Sequence, residues 1–445
     1  MGNDHYKDPL SFTVRQLKVP MQVVTSAHSP TFFFIIGVFL LVLDLLVLEH
    51  FSGGGVAKTE SLPFDILCEG FAMLRACVDG FSKCEGVFVT TTLDDRIKDY
   101  YPLFNTKSVE LLKGGLLQNF LDRVMGDFDA CLVIAPESDG ILENYSSIVA
   151  HKAVLLAPSP FAVNFASNKL KVNGLTEKLG IKIPPTVVVN RNDDFDKALN
   201  PIKALGTPLV VKPVDGCGCE GLSFIKNFNT EIIKKAVEKA FNSSKKIRSE
   251  IIVQKWIEGV PASVSLISNG LSSIPLCLNY QNIDISEDPF LVSYSGGHCP
   301  LIHEKKKEAF KISQKLLSKI RGIRGYVGID IVLTGEDVFL IEVNPRITTS
   351  FLGLYALLGP KLTQIILDTV LKQETPKIPP TNSFAIFKKV LFHDPKVENK
   401  HVIQTDPRKG IITPLFPLKD KTYQAFIITT GKTLKEAEDS LKTLL

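Results

Sequence analysis

Short, almost wholly apolar runs punctuate the first half of the chain. Leu43 to Leu48, Cys131-Leu132-Val133-Ile134-Ala135 and Ala153-Val154-Leu155-Leu156 lack polar alternation, as parallel strands buried on both faces do. Between the first two, Phe64 to Val78 places Ile66, Leu67, Phe71, Leu74 and Val78 at helical spacing. This alternation predicts a Rossmann-like α/β layer, although no dinucleotide fingerprint accompanies it. Farther on, Leu170 to Leu179 predicts a helix, and Pro184-Pro185 ends that connection. A Lys-rich helix from about Thr230 to Phe241 then separates two apolar strands, Pro208–Lys212 and Glu250–Val253. Ile329-Asp330-Ile331-Val332 and Ile341-Glu342-Val343-Asn344 read as a hairpin about the turn Thr334-Gly335-Glu336-Asp337. After the link Pro376-Lys377-Ile378-Pro379-Pro380, Ile427 to Ala437 reads as strand, glycine turn and helix.

The apolar stretch that holds the first strand is longer than a strand needs. Phe32 to Leu48 is at the lower limit for a membrane span, but Asp44 interrupts it, and a charge in lipid is costly. Its second half runs into the turn Gly53-Gly54-Gly55, so a buried strand with an apolar extension is expected rather than an anchor. The protein is accordingly expected in the cytoplasm, with no membrane partner.

Composition narrows the class further. The 445 residues, 45% hydrophobic and 22% charged, suffice for two or three domains with substantial cores. A net charge of +4 without a basic block interleaved with aromatics argues against nucleic acid, and Glu304-Lys305-Lys306-Lys307-Glu308 reads as the solvated face of a helix. The eight cysteines form no CxxC pair and no cluster with histidine, which predicts free thiols. Cys217 and Cys219 read as small side chains in a loop that needs them.

Four parts of the chain carry candidate chemistry. Asp330, with Glu342 and Asn344 on the neighbouring strand, offers hard oxygen ligands of the kind that hold magnesium or manganese on phosphates; an acid-capped hairpin is the plainer alternative. Lys212 ends a strand that runs into Val214-Asp215-Gly216-Cys217-Gly218-Cys219-Glu220-Gly221, whose glycines let backbone amides face an anion. It is not a Walker loop, and a simple glycine turn fits it too. Gln254-Lys255-Trp256-Ile257-Glu258-Gly259 follows a strand and is suited to an adenine edge, or to an ordinary turn. Gln281 and Tyr294, the latter beside Gly296-Gly297, are candidates for contacting an acceptor substrate, with a wide hairpin as the alternative.

The order of these segments resembles the ATP-grasp superfamily from about Leu46 to about Thr375. The resemblance implies a Rossmann-like domain over 44–160 after an extension of residues 1–43. It further implies a two-lobed ATP-grasp domain over 161–375 and a small α+β extension over 376–445 packed on the core. It also implies ATP as the nucleotide, with Lys169 and Lys212 on its phosphates and Gly216, Gly218 and Gly221 in a loop that closes over them. Gln254, Lys255, Trp256 and Ile257 fall on the adenine hinge, Asp330, Glu342 and Asn344 on the Mg2+ or Mn2+ ligands, and Arg346 beside the transferred phosphoryl group. Lys212 and Arg346 are thereby the expected catalytic pair.

Leu48–Gly55, Cys68–Leu74, Ile134–Glu137, Pro261–Ser265 and Asn344–Ser350 are similar to the archaeal tyramine-glutamate ligases of methanofuran biosynthesis. That implies a carboxylate-amine ligase acting through an acylphosphate, with a small-molecule acid and an amine as partners and a homodimer open to it as an assembly. A phosphotransferase and a non-catalytic nucleotide-binding regulator are the alternatives. Three positions depart from the wider pattern. Pro261 stands where a ribose-binding Glu is common, Gly328 where D-alanine ligases carry Arg, and Asn168 where an Asp often precedes the first lysine.

Overall fold

The computed structural model describes residues 42–104, 106–243, 249–393, 406–418 and 420–445. Phe32 to Leu41, the first part of the apolar run, lie outside the described residues. The remainder of that run is the strand Leu43–Glu49, the middle member of a five-stranded parallel sheet. Val87–Asp94 and Ala130–Ile134 flank it, and Ser108–Leu112 and Val154–Leu155 form the edges. Leu45 and Val47 pack with Leu67 and Phe71 of the helix Phe64–Ser82, while Leu46 and Leu48 pack with Leu117, Leu121 and Leu142 behind the sheet. Both faces are covered, so the strand reads as one apolar run. Asp44 sits at its start, where its carboxylate accepts from Lys107 Nζ at 2.7 Å.

A four-stranded antiparallel sheet follows, in the order Thr186–Asn190, Glu250–Lys255, Leu209–Pro213, Ser223–Ile225. The helices Phe195–Ala204 and Thr230–Asn242 bury Ile202, Ile233 and Val237 against it. The third sheet is nine-stranded and antiparallel. It begins with Val338–Asn344, Arg324–Leu333, Val260–Asn269, Ser273–Ile285 and Val292–Cys299, then continues through Phe384–Phe392 and Tyr423–Gly431. The chain after the Pro-rich link thus extends the sheet that carries the acidic hairpin.

Asn279–Gln281 and Val292–His298 lie on two strands of one hairpin, with Tyr280 opposite His298 and Ile283 opposite Tyr294. Its paired glycines serve backbone packing: a Cβ on Gly297 would sit 1.9 Å from the Tyr280 carbonyl oxygen, and one on Gly296 2.1 Å from that of Phe387. Among the described residues no single helix is long and apolar enough to cross a bilayer. The pair Ser350–Leu358 and Pro360–Leu371, bent by 107°, passes on length and composition together, yet Phe351, Leu352, Leu362 and Ile366 of these helices lie in the core.

Candidate active site

A cleft with a cavity volume of ≈ 250 Å³ is lined from both antiparallel sheets and from the helix Phe64–Ser82. Every residue assigned to the site from sequence lines it except Gly221, which stands at the base of the glycine loop. There its φ is +70°, and a Cβ would meet Ser243 Oγ at 2.3 Å.

The acidic end is built by the hairpin. Arg324–Leu333 and Val338–Asn344 pair so that Asp330 stands opposite Glu342, with a register shift immediately after Asp330. Like charges facing each other across a ladder repel. Burial, helped by Glu342, pushes Asp330 up to about 8; Gln281 Nε2 and Asn344 Nδ2 donate to its two oxygens, each at 3.0 Å. Burial would raise Glu342 as well, but Lys169 and Lys212 overcome it and hold that carboxylate at about 2. Two facing, half-buried carboxylates, one of them pushed toward its protonated form, with an amide carbonyl beside them, fit a divalent cation with oxygen ligands. Among the described residues no cluster of three or more His, Cys, Asp or Glu stands together, so Asp330 and Glu342 completed by Asn344 are the candidate set.

The two lysines reach this pair from different elements. Lys169 opens the helix Lys169–Lys178, where a cation opposes the helix dipole; Asn168 caps the helix by accepting from Lys171 N at 3.0 Å, so the amide serves as an Asp would. The Lys169 ammonium is offset instead by Glu342 Oε2 at 3.1 Å and donates to the Gly216 carbonyl, also at 3.1 Å. Lys212 is 6% exposed, makes no hydrogen bond through its ammonium among the described residues, and is pushed down to about 8 by burial against the pull of Glu342. A buried cation without a direct partner is poised for an anion. Cys217 and Cys219 are free, and burial pushes both thiols up to about 12, so neither is a thiolate nucleophile at neutral pH.

At the opposite end the backbone after Glu250–Lys255 leaves a pattern suited to a flat heterocycle. The amide of Lys255 goes to the Pro185 carbonyl and that of Trp256 to the Pro208 carbonyl, both at 2.9 Å, whereas the Ile257 amide has no partner among the described residues. The Lys255 ammonium turns away to the Thr207 carbonyl, which leaves only the backbone of that residue for the cleft. Gln254 is fixed by its bond to Thr186 Oγ1 at 2.8 Å, and Trp256 packs edge-to-face on Phe224.

Arg346 brings in a residue that the sequence did not single out as part of the site. Its guanidinium forms a bidentate pair with Glu137, at 2.9 and 3.0 Å, from the loop after the parallel strand Ala130–Ile134. Burial works against the guanidinium charge, but Glu137 more than offsets this and raises it above its ordinary range. The adjacent Ser138 donates to Glu220 of the glycine loop at 2.9 Å. One loop of the parallel layer therefore holds both Arg346 and the glycine loop. Its position past the carboxyl end of a parallel strand was the available signal.

Comparison with known proteins gives a consistent set of likenesses. Residues 166–350 match the ATP-grasp domain and residues 87–163 the pre-ATP-grasp domain. The chain is 30% identical over 312 residues to tyramine–L-glutamate ligase of Methanocaldococcus fervens, covering 69% of this chain and 89% of that protein. With the protein of the same name from Methanocaldococcus jannaschii it shares 28% over 313 residues, covering 70% and 85%. An ATP-grasp superfamily protein from Archaeoglobus fulgidus has a similar structure, with TM-score 0.55 and 20% identity over 86% of this chain and 99% of that one. Biotin carboxylase from Campylobacter jejuni, solved with βγ-ATP, superposes with TM-score 0.66 at 14% identity, covering 91% of each chain.

Proposed function

We propose that this chain, which belongs to the ATP-grasp family, is an ATP-dependent ligase that joins a small-molecule carboxylate to an amine, with L-glutamate and tyramine as its substrate pair. The observation that carries the reading is the meeting, in one cleft, of Lys169 and Lys212 with Asp330, Glu342 and Asn344. A carboxylate is a poor electrophile. Its oxygen attacks the γ-phosphorus of ATP, the bond to the β-phosphate oxygen breaks, and ADP leaves an acylphosphate. The amine lone pair then attacks the acyl carbon, the bond to phosphate breaks, and an amide, inorganic phosphate and a proton result. No side-chain nucleophile is required, in keeping with the protonated thiols of the glycine loop.

In this reading the Ile257 amide and the Lys255 carbonyl meet the adenine edge, and Trp256 and Gln254 border it. Lys169 and Lys212 neutralise phosphate charge, Gly216, Gly218 and Gly221 shape the loop above, and Arg346 faces the phosphoryl group in transfer. Gln281, through Asp330, and Tyr294, through Thr349, complete the side where the acceptor enters. Asp330, Glu342 and Asn344 would hold Mg2+ or Mn2+, which supplies charge neutralisation for the phosphates. We place the reaction in the cytoplasm, where ATP is available.

The low pKa of Lys212 gives a pH signature. In the free protein its charge is lost as pH rises through about 8, whereas phosphate would restore it in the complex. ATP affinity should therefore fall above about pH 8, with about one proton taken up on binding there. Calorimetry in buffers of different ionisation enthalpy reads that uptake. Lys212→Met should weaken binding about 10- to 100-fold and remove the uptake, as loss of a charge-assisted phosphate contact does. Unchanged affinity in the folded variant would take Lys212 out of the phosphate site.

The reaction itself is tested with purified protein, ATP, Mg2+, tyramine and L-glutamate carrying 18O in its carboxylates. ADP, the amide mass and one 18O in the released phosphate are expected. A phosphorylated product without amide would make the protein a phosphotransferase, and absence of ADP formation with any acid and amine would leave a nucleotide-binding regulator.

A further inference from the structure

Four carboxylates line the cleft: Glu69, Glu220, Asp330 and Glu342. Asp330 and Glu342 face each other beside the lysines, and Glu220 accepts from the Ser138 hydroxyl. Glu69 differs in origin, since it comes from the helix Phe64–Ser82 that packs on the parallel sheet. Met73, four residues on and hence on the same helix face, is the other cleft residue from that helix. Tyr294 also lines the cleft, with its hydroxyl 2.6 Å from Thr349 Oγ1. Glu69, Cys219 of the glycine loop and Tyr294 all line this one cleft.

One oxygen of Glu69 is already occupied. Oε1 accepts from Lys389 Nζ at 2.6 Å, and the two side chains are 16% and 19% exposed. Lys389 lies on Phe384–Phe392, beyond the segment that matches the ATP-grasp domain. Oε2 has no hydrogen-bond partner among the described residues. A half-buried carboxylate, gripped on one oxygen and open on the other in a cleft it shares with a thioether and an aromatic ring, recognises an N–H group on an apolar body.

We propose that Glu69 binds the amine substrate of the ligase: Oε2 accepts an N–H from a primary amine whose apolar body lies against Met73 and Tyr294, while Lys389 fixes the carboxylate through Oε1. This rests on the ligase reading above. It also gives the C-terminal segment a part in the site, because Lys389 acts there as a positioning residue.

The test is the effect of Glu69→Gln in the full chain on separate KM values, with tyramine as the amine, L-glutamate as the acid and Mg-ATP as the nucleotide. The KM for tyramine should rise about 10- to 100-fold, the scale of a lost charge-assisted hydrogen bond, while those for ATP and glutamate stay within about twofold. Lys389→Met should raise the tyramine KM in the same selective way but by less. Glu69→Asp, which keeps the charge one methylene back, should fall between Gln and the native residue, and it is decisive if Glu69→Gln fails to fold. Amide formation by the native protein with an unchanged tyramine KM in the folded variants would overturn the assignment of Glu69 alone. Absence of amide formation by the native protein with any amine would overturn the ligase reading, and this assignment with it.

Discussion

Glu342→Gln is expected to lower amide formation by at least ~100-fold, the scale on which one preorganised charge-stabilising group acts. The exchange keeps shape and hydrogen-bonding length, so the hairpin should retain its register, and only the charge is removed. Burial works against that charge, but Lys169 and Lys212 hold the carboxylate at about 2, whereas its neighbour Asp330 is pushed up to about 8 by burial and by Glu342. Asp330 is then the one carboxylate left of the facing pair, and Lys169, 8% exposed in its side chain, loses its ion-pair partner at 3.1 Å. Both the cation that would sit on the phosphates and the lysine beside them should be displaced. ADP release and amide formation at saturating ATP, Mg2+, tyramine and glutamate measure the effect, with a thermal melt as control for folding. Turnover within tenfold of the native protein would reduce the hairpin to a structural feature.

The parts of this site that are legible in the sequence are those made by neighbours on one element. Alternation along Ile329–Val332 and Ile341–Val343 sets Asp330 and Glu342 across one turn, and a lysine at the end of an apolar strand before three glycines points to an anion. The parallel layer is equally legible, because strands covered on both faces leave unbroken apolar runs. Pairings across sheets leave no such trace. Arg346 meets Glu137 across 209 residues, and Lys389 meets Glu69 across 320. No local period encodes a contact between a parallel-sheet loop and an antiparallel hairpin. Gln281 and Tyr294 show the boundary: polar residues beside two glycines fit either a substrate loop or a wide hairpin. The hairpin that forms turns both side chains into the cleft, while its glycines answer to the carbonyls of Tyr280 and Phe387.

A chain that begins after Gly55 is expected not to fold at all. It would lack Leu43–Glu49, which pairs with Val87–Asp94 on one side and Ala130–Ile134 on the other, so the deletion opens the sheet at its centre rather than trimming an edge. Leu45, Leu46, Val47 and Leu48 are all fully buried, two in each of the cores that cover the sheet. At about 1.5–3 kcal/mol for each side chain, their loss amounts to roughly 6–12 kcal/mol, comparable with the whole stability of a typical domain. Two neighbouring strands would also lose ladder partners. Glu49, at the end of the strand, accepts from the amides of Phe51 and Ser52 and from the Ser52 hydroxyl, so the following turn loses its anchor as well. Leu46→Asp in the full chain should act in the same direction, because it buries an unpaired carboxylate in one of those cores. Circular dichroism, gel filtration and a melting curve would show the loss of a cooperative transition. The same packing argues against giving this strand to a bilayer, since Asp44 is engaged by Lys107 and the four residues after it are already used by the sheet. Full ligase activity in the chain that starts after Gly55, with the full-length protein recovered only from detergent-extracted membranes, would instead make the apolar run an anchor.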